Sequence, residues 1–206
     1  MLARLRPLYH RYTLPLGRAC LKMGLRPDFW TFFSVFASIV GAVMLAQDRL
    51  VWGLLLTIVT DVTDMLDGAT ARAGGTSSRF GTILDHVCDR YAEFFLMTGI
   101  ALSGRVKLFW AIFAIFGMVM ASYVRAKAES VGKMESCTVG FAGRQEKLIL
   151  LMSGLFFEIV LVKVSVLNWA LIAIGLISHI TAVQRLLYSR KMILAHPPQE
   201  AAAFQS

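Results

Sequence analysis

The sequence predicts an all-α integral membrane protein, with six transmembrane helices preceded by an N-terminal amphipathic helix at the membrane surface. Hydrophobic residues make up 57% of the 206-residue chain. Several stretches stay almost free of charge for about 18 residues or more, which is long enough to cross a hydrocarbon core about 30 Å thick. The basic residues are concentrated between these stretches. The length leaves no room for a second soluble domain of ordinary size, so we expect one membrane domain.

The first element is a basic, amphipathic segment over residues 1–23. Leucine and tyrosine alternate there with five basic side chains. A helix with this pattern lies in the membrane interface with its apolar face toward the lipid. A solvated basic tail is the alternative interpretation. Pro27 and Asp28 then mark the start of the next helix, because proline is favoured in the first turn.

Six apolar segments follow, and each is long enough to be a membrane-spanning helix. Their predicted bounds are Phe29–Ala46, Val51–Arg72, Arg79–Leu102, Val106–Ala128, Arg144–Leu161 and Val164–Tyr188. Together they predict a transmembrane domain over residues 29–190, in which only the polar stretch 129–143 is a long connection. Residues 196–206 have the composition and terminal position of a disordered tail.

The distribution of Lys and Arg predicts the orientation of the chain. Sixteen of these residues flank the spans on the side of the two termini, and four lie on the opposite side. Basic residues are retained in the cytoplasm, so both termini and the larger loops should face it across the cytoplasmic membrane. The net charge of +8 then favours anionic lipids or phosphorylated substrates over nucleic acid. The three cysteines have neither disulfide-framework nor zinc-site spacing.

Acidic residues are concentrated in the second and third spans, which hold six of the 13 in the chain. Asp64 and Asp67 are three residues apart, and Asp85 and Asp89 are four apart, so each pair lies on one helix face. The short connection predicts that the two helices are antiparallel neighbours. Four carboxylates would then converge near the cytoplasmic ends of both spans. Crowded carboxylates repel, and hard divalent cations such as Mg²⁺, Mn²⁺ or Ca²⁺ relieve the repulsion.

Small and basic residues accompany these aspartates. Gly68 and Ala71 lie on the ridge beside Asp64 and Asp67, and Gly81 precedes Asp85 by one turn. Small side chains let a helix neighbour or a flat ligand approach closely, and both uses are compatible. Arg72 follows one turn after the carboxylates, where a guanidinium group can reach a phosphate oxygen. Asp61 and Glu93 are open to a structural or a functional interpretation, and His86 points away from the aspartate face.

The spacing of these residues resembles the signature of the CDP-alcohol phosphatidyltransferase family. That signature reads D-x2-D-G-x2-A-R-x8-G-x3-D-x3-D, and all eight specified positions match from Asp64 to Asp89. The resemblance implies a six-helix membrane enzyme with a juxtamembrane helix, which acts as a homodimer. It also implies a donor such as CDP-diacylglycerol or CDP-archaeol, and CMP as the leaving group.

The same resemblance implies roles for individual residues. Two divalent ions, Mg²⁺ or Mn²⁺, would bind the four aspartates, and Asp89 would also be the general base that deprotonates the acceptor hydroxyl. The implied CDP-binding residues are Gly68, Ala71, Arg72 and Gly81, and we assign Asp61 to the same site.

A narrower resemblance concerns the acceptor. The stretches Ser122–Glu129, 141–148 and 182–186 are similar to segments of phosphatidylinositol-phosphate synthases and archaetidylinositol-phosphate synthases. It implies an acceptor-phosphate site, with inositol 3-phosphate as the acceptor. Its residues would be Ser122, Arg125, Arg144 and Arg185. Gln145 and Lys147 depart from the Pro and Arg of those enzymes, so glycerol 3-phosphate, serine or another polyol stay open as acceptors.

Two other classes of protein also use intramembrane aspartates. A cation transporter would spread its charges through the membrane depth and would need no basic pocket. An intramembrane prenyltransferase uses different aspartate spacings and more spans. The position of the acids toward one end of the spans, beside Arg72, favours the phosphotransferase.

Overall fold

The computed structural model describes residues 6–161 and 164–195, with side chains from residue 12 onward. Within these residues, every element of regular secondary structure is an α-helix. The helices are α1 (Arg6–Lys22), α2 (Pro27–Ala46), α3 (Leu50–Gly74), α4 (Arg79–Leu102), α5 (Leu108–Ser130), α6 (Arg144–Val160) and α7 (Val166–Ala195). The predicted disordered tail, 196–206, lies outside the described residues.

The helices coincide with the predicted segments except at the end of α7, which continues to Ala195 and not only to the predicted Tyr188. Several helix ends have local causes. Helix α3 ends where Gly75 adopts a left-handed conformation with φ of 61°, which glycine enters without steric cost. Ser78 caps the start of α4, because its hydroxyl accepts a hydrogen bond from the Gly81 amide at 2.9 Å. Helix α5 starts two residues later than predicted, because Gly104 turns the chain with φ of 74° and Lys107 is the extended residue before the helix.

The apolar core lies between α2, α4, α5, α6 and α7. Fully buried side chains from these helices include Leu45, Ile100, Leu155 and Leu171. Glycines allow the closest helix approaches: a Cβ at Gly99 in α4 would come within 2.5 Å of the Ala42 carbonyl oxygen in α2. No side chain fits at that separation, so glycine sets the distance between these two helices.

Helices α3 and α4 are less closely packed than their short connection predicts. They contact each other sparsely, and α2 packs extensively against both of them. The carboxylates of Asp64, Asp67 and Asp85 come together between them. The two helices are therefore neighbours mainly where their carboxylates meet.

Helix α1 packs against α3 rather than standing apart from the bundle. A Cβ at Gly17 would come within 2.3 Å of the carbonyl oxygen of Ala69 in α3. Thr13 is buried at this contact, whereas Tyr12 is 68% exposed. The N-terminal segment is thus a helix, as predicted, and it covers the end of α3 that carries the aspartates.

The opposite end of the bundle is held together by polar contacts between its loops. Arg105, before α5, donates two hydrogen bonds to Asp48, which lies between α2 and α3. These bonds hold the pKa of the Asp48 carboxyl below its usual value, so the pair persists to lower pH. Glu158 of α6 accepts a hydrogen bond from the amide of Leu167 at 2.9 Å and so caps the start of α7.

Three of the described helices are long and apolar enough to cross a membrane by length and composition alone: α2, α5 and α7. Large hydrophobic side chains are exposed along them, including Phe32, Phe36, Phe109 and Phe116. Exposure of this kind requires lipid or another apolar surface. The chain is therefore an all-helical membrane protein. Helices α3, α4 and α6 carry the charged residues of the site described next, which lowers their apolar character.

Candidate active site

Three aspartates from two helices form the centre of the site. Asp64 and Asp67 of α3 and Asp85 of α4 each offer a carboxylate oxygen, and these oxygens lie within 4.8 Å of one another. Asp67 is buried, and the other two are half-buried. Oxygen ligands at this separation can share one hard divalent cation. The helix spacing of the sequence thus predicted the convergence of these three residues.

Asp89, the fourth aspartate of the predicted set, lies beside Asp64 but outside that mutually close group. It is buried, and its carboxylate pairs with the Arg144 guanidinium at 2.8 Å. Another nitrogen of Arg144 donates to Asp64 at 2.7 Å. Arg144 therefore bridges the two helices at the carboxylate cluster. Its role as a ligand of the acceptor phosphate stays a prediction.

Glu93 holds the other side of Arg144. The Glu93 carboxylate is buried and accepts a hydrogen bond from Nε of Arg144 at 3.0 Å. The same oxygen accepts a bond of 2.6 Å from Arg90, which in turn donates to the hydroxyl of Ser122 at 2.6 Å. This network joins the aspartates of α3 and α4 to the predicted acceptor residue on α5. From the sequence, both a structural and a functional role were possible for Glu93, and no role was predicted for Arg90.

Thr31 of α2 also contacts the cluster, and the sequence did not predict this contact. Its hydroxyl donates a hydrogen bond of 3.0 Å to Oδ2 of Asp67, and both side chains are buried. Helix periodicity does not predict a contact between residues that are 36 positions apart. The one available signal was a threonine among the apolar residues of a predicted span, which indicates a polar partner in a neighbouring helix. Partners of this kind orient a ligating carboxylate and tune its affinity for metal.

Thr31→Val should weaken binding of a divalent cation by about tenfold, because Asp67 loses the donor that fixes its carboxylate. Titration of the purified protein with Mn²⁺, followed by electron paramagnetic resonance, measures the affinity. Thr57→Val is the matched control, since within the described part of the chain the buried Thr57 hydroxyl bonds to Gly53 of its own helix and to no aspartate. An unchanged affinity in Thr31→Val would remove Thr31 from the metal site.

The predicted CDP-binding residues divide into two groups. Gly68 and Arg72 line the same cavity as the aspartates, and a guanidinium nitrogen of Arg72 lies 3.0 Å from where a Cβ of Gly68 would be. Among the described residues, Asp61, Ala71 and Gly81 do not line that cavity. Gly81 instead donates its amide to the cap of α4. The assignment of these five residues to a CDP site stays a prediction.

The cavity has a volume of about 1490 Å³ and extends from the aspartates to a basic region. Tyr12, Thr13 and Leu16 of α1 line its edge. Apolar side chains of α4 and α5, among them Phe94 and Val119, line another part. A space with carboxylates, cations and an apolar wall can take a ligand that is part lipid and part phosphate.

The basic region is formed by α5, α6, α7 and the loop after α5. Arg125 pairs with Glu129 at 2.9 Å one turn further along α5. Arg185 is buried and donates to two backbone carbonyls, those of Ala121 at 2.6 Å and Val139 at 2.9 Å. Arg185 thereby ties the loop to α5 and α7. Ser122, Arg125, Arg144 and Arg185 all line the cavity, and their binding of an acceptor phosphate stays a prediction.

The ligand atoms that the cluster offers fit a hard divalent cation. The ligands are carboxylate oxygens, which suit Mg²⁺ and Mn²⁺. Three carboxylates come together in the cluster, and Arg144 forms an ion pair with one of them, Asp64. A membrane protein with such a cluster and cavity is suited to metal-assisted chemistry on phosphorylated lipids.

Comparisons with known proteins agree with this chemistry. The sequence profile of the CDP-alcohol phosphatidyltransferases matches residues 25–181. The archaetidylinositol phosphate synthase of Methanothermobacter thermautotrophicus is 30% identical over 188 residues, which cover 91% of this chain and 93% of that protein. The phosphatidylinositol phosphate synthase of Mycobacteroides abscessus is 34% identical over 167 residues, which cover 74% and 72%.

Solved structures give the same result. The phosphatidylinositol phosphate synthase of Mycobacterium tuberculosis, in complex with manganese and citrate, matches with a TM-score of 0.76 and 30% identity, over 86% of this chain and 88% of that one. The same enzyme with CDP-DAG bound matches with a TM-score of 0.75 and 29% identity, over 87% and 94%.

The chain belongs to the CDP-alcohol phosphatidyltransferase family, and it is a membrane-bound transferase of phospholipid synthesis. The family resemblance inferred from the aspartate signature is confirmed. A divalent cation is the cofactor of this family, and the cluster of Asp64, Asp67 and Asp85 can hold one. The donors of the family are CDP-alcohols, and polyol phosphates are acceptors.

Proposed function

We propose that the chain transfers the phosphatidyl or archaetidyl group of a CDP-lipid to inositol 3-phosphate and releases CMP. The observation that carries this proposal is the single cavity that joins the aspartate cluster to the basic residues of α5, α6 and α7. The names of the relatives support the same acceptor, since two groups of them are synthases of inositol-phosphate lipids. Glycerol 3-phosphate and serine are the alternative acceptors.

In this proposal the aspartates hold the metal and the donor is bound beside them. Asp64, Asp67 and Asp85 supply the ligands at the centre, and Asp89 completes the set for two ions. The bound cations would neutralise the diphosphate of the donor and the charge of the departing CMP. Gly68 leaves room for the CDP moiety, and Arg72 binds its phosphate oxygens as a planar, permanently charged donor.

Asp89 is the general base of the proposed reaction. It takes the proton of the acceptor hydroxyl, whose oxygen forms a bond to the lipid-linked phosphorus. The bond between that phosphorus and the bridging oxygen of CMP breaks in the same transfer, and CMP leaves with the electron pair. Arg144 orients the Asp89 carboxylate through its bond of 2.8 Å. Positioning of the reactants and stabilisation of charge supply most of the rate.

The membrane arrangement is also part of the proposal. Helices α2 to α7 would each span the membrane, with both termini and the cavity on the cytoplasmic side, as the excess of Lys and Arg on that side predicts. The enzyme would be located in the cytoplasmic membrane. Its exposed apolar helix faces would be covered by lipid and, in a homodimer, by a second copy.

Release of CMP from CDP-diacylglycerol or CDP-archaeol by the purified protein tests the function. We expect release that requires Mg²⁺ or Mn²⁺ and inositol 3-phosphate. Glycerol 3-phosphate, serine and free inositol are the comparison acceptors. Release with serine or glycerol 3-phosphate alone would overturn the acceptor, and the absence of metal-dependent release with every acceptor would overturn the reaction. A cation transporter would release no CMP.

A further inference from the structure

Glu93 is a buried carboxylate that belongs neither to the family signature nor to the group of three aspartates. It lies on α4 one helical turn after Asp89, so the two side chains share a helix face. A buried carboxylate is costly unless cations neutralise it, and Arg90 and Arg144 both pair with Glu93. The role of Glu93 therefore depends on what it does to these two arginines.

Arg144 uses each nitrogen of its guanidinium group for a different carboxylate. One terminal nitrogen is 2.7 Å from Asp64, the other is 2.8 Å from Asp89, and Nε is 3.0 Å from Glu93. Asp64 is also a member of the aspartate group that can share a divalent cation. Arg144 and that cation would therefore compete for the carboxylate of Asp64.

Nε is the nitrogen that can keep its partner when Arg144 leaves Asp64. It lies on the axis of the last side-chain torsion, so rotation about this axis moves the two terminal nitrogens while Nε stays in place. The contact with Glu93 is thus compatible with a turn of the guanidinium group away from Asp64. Without Glu93, the remaining ion-pair partners of Arg144 in the described part of the chain would be Asp64 and Asp89, which are both predicted metal ligands.

We infer that Glu93 is a positioning residue for the metal site, which holds Arg144 when a divalent cation takes the carboxylate of Asp64. The inference rests on the metal site of the proposed function and adds to it a residue outside the family signature. A guanidinium group that loses its carboxylate partners inside a protein is strongly disfavoured. Glu93 lowers this cost, because it keeps a charged partner on Nε while the cation binds.

Glu93→Gln should weaken the binding of Mn²⁺ by about tenfold or more, as is typical when a residue that supports a metal site is changed. The amide keeps the shape of the side chain but loses its charge, so Arg144 stays more firmly on Asp64. Titration of the purified protein with Mn²⁺, followed by electron paramagnetic resonance, measures the affinity without any substrate.

Glu129→Gln is the matched control for the loss of a negative charge from the cavity wall. Glu129 also lines the cavity, but it pairs with Arg125 of its own helix. We expect this variant to bind Mn²⁺ nearly as tightly as the wild type. Equal weakening in Glu93→Gln and Glu129→Gln, or no weakening in Glu93→Gln, would overturn the inference.

A double-mutant cycle separates an action through Arg144 from a general effect of charge. Arg144→Gln should strengthen the binding of Mn²⁺, because it removes the competitor for Asp64. Adding Glu93→Gln to Arg144→Gln should then cause no further loss of affinity. A loss as large in that background as in the wild type would mean that Glu93 acts on the metal through its charge alone, and the inference would be wrong.

Arg144→Lys replaces Arg144→Gln in the cycle if the glutamine variant does not fold. Lysine keeps the charge, but one ammonium group cannot reproduce the planar fork by which the guanidinium group bonds three carboxylates. The lysine variant should therefore bind Mn²⁺ more tightly than the wild type although its net charge is unchanged. An affinity at or below that of the wild type would overturn the competition between Arg144 and the metal.

Asp67→Ala separates failure of the inference from failure of the proposed function. Asp67 belongs to the aspartate group and forms no ion pair with Arg144 among the described residues. If Asp67→Ala loses Mn²⁺ while the two substitutions of the cycle are additive, the metal site stands and the role of Glu93 is wrong. Unchanged binding of Mn²⁺ in Asp67→Ala would overturn the metal site of the proposed function, and the inference with it.

Discussion

Asp89→Asn should lower kcat for CMP release by at least about a thousandfold, while binding of the CDP-lipid stays detectable. The amide has the shape of the carboxylate but cannot take the proton of the acceptor hydroxyl. It also removes one of the negative charges that face Arg144 and the metal. The prediction depends on the position of Asp89, which is buried beside Asp64 and lines the cavity.

Steady-state kinetics and a direct binding assay with labelled CDP-lipid measure the two effects separately. Asp48→Asn is the control, because Asp48 lies in the loop between α2 and α3, at the opposite end of the bundle. We expect that variant to keep its activity. Near-normal turnover of Asp89→Asn would show that another group is the base, and complete loss of donor binding would show that Asp89 acts mainly through the metal.

Arg144→Ala should be the most destabilising single substitution in the site. It removes three ion pairs at 2.7 to 3.0 Å and leaves the buried carboxylates of Asp89 and Glu93 without this partner. Breaking a buried ion pair by removing one partner costs about 3–5 kcal/mol. A divalent cation should restore part of the loss, because it neutralises the same aspartates.

Thermal unfolding in detergent, with and without Mn²⁺, measures this effect. Arg125→Ala is the control for stability, since Arg125 makes one half-exposed pair within its own helix, worth less than about 1 kcal/mol. If Arg144→Ala unfolds at the wild-type temperature in the absence of metal, the bridging role of Arg144 is wrong. A loss that Mn²⁺ does not reduce would separate Arg144 from the metal site.

The sequence was sufficient to predict the helices and the centre of the site. Charge-free stretches gave the segments, and the spacing of Asp64, Asp67 and Asp85 gave three carboxylates that do converge. These features are local, since helix periodicity fixes which residues share a face. The family signature added the spacing between the two helices, which periodicity alone does not fix.

Contacts between distant segments could not be predicted in this way. Arg144 lies 80 residues from Asp64, and in the sequence it cannot be distinguished from a basic residue that flanks a span on the cytoplasmic side. The bond from Thr31 to Asp67 depends on α2 packing against α3. Likewise, only the fold reveals the contact between Glu93 and Arg144, which are 51 residues apart.

Anomalous X-ray scattering from crystals grown with Mn²⁺ tests directly whether the three aspartates form the metal site. We expect a manganese peak within coordination distance of Asp64, Asp67 and Asp85, with Arg144 withdrawn from Asp64. Disappearance of that peak in Asp67→Ala crystals would agree with this. A manganese peak elsewhere, or no peak while the three carboxylates stay together, would show that these aspartates are not the metal site.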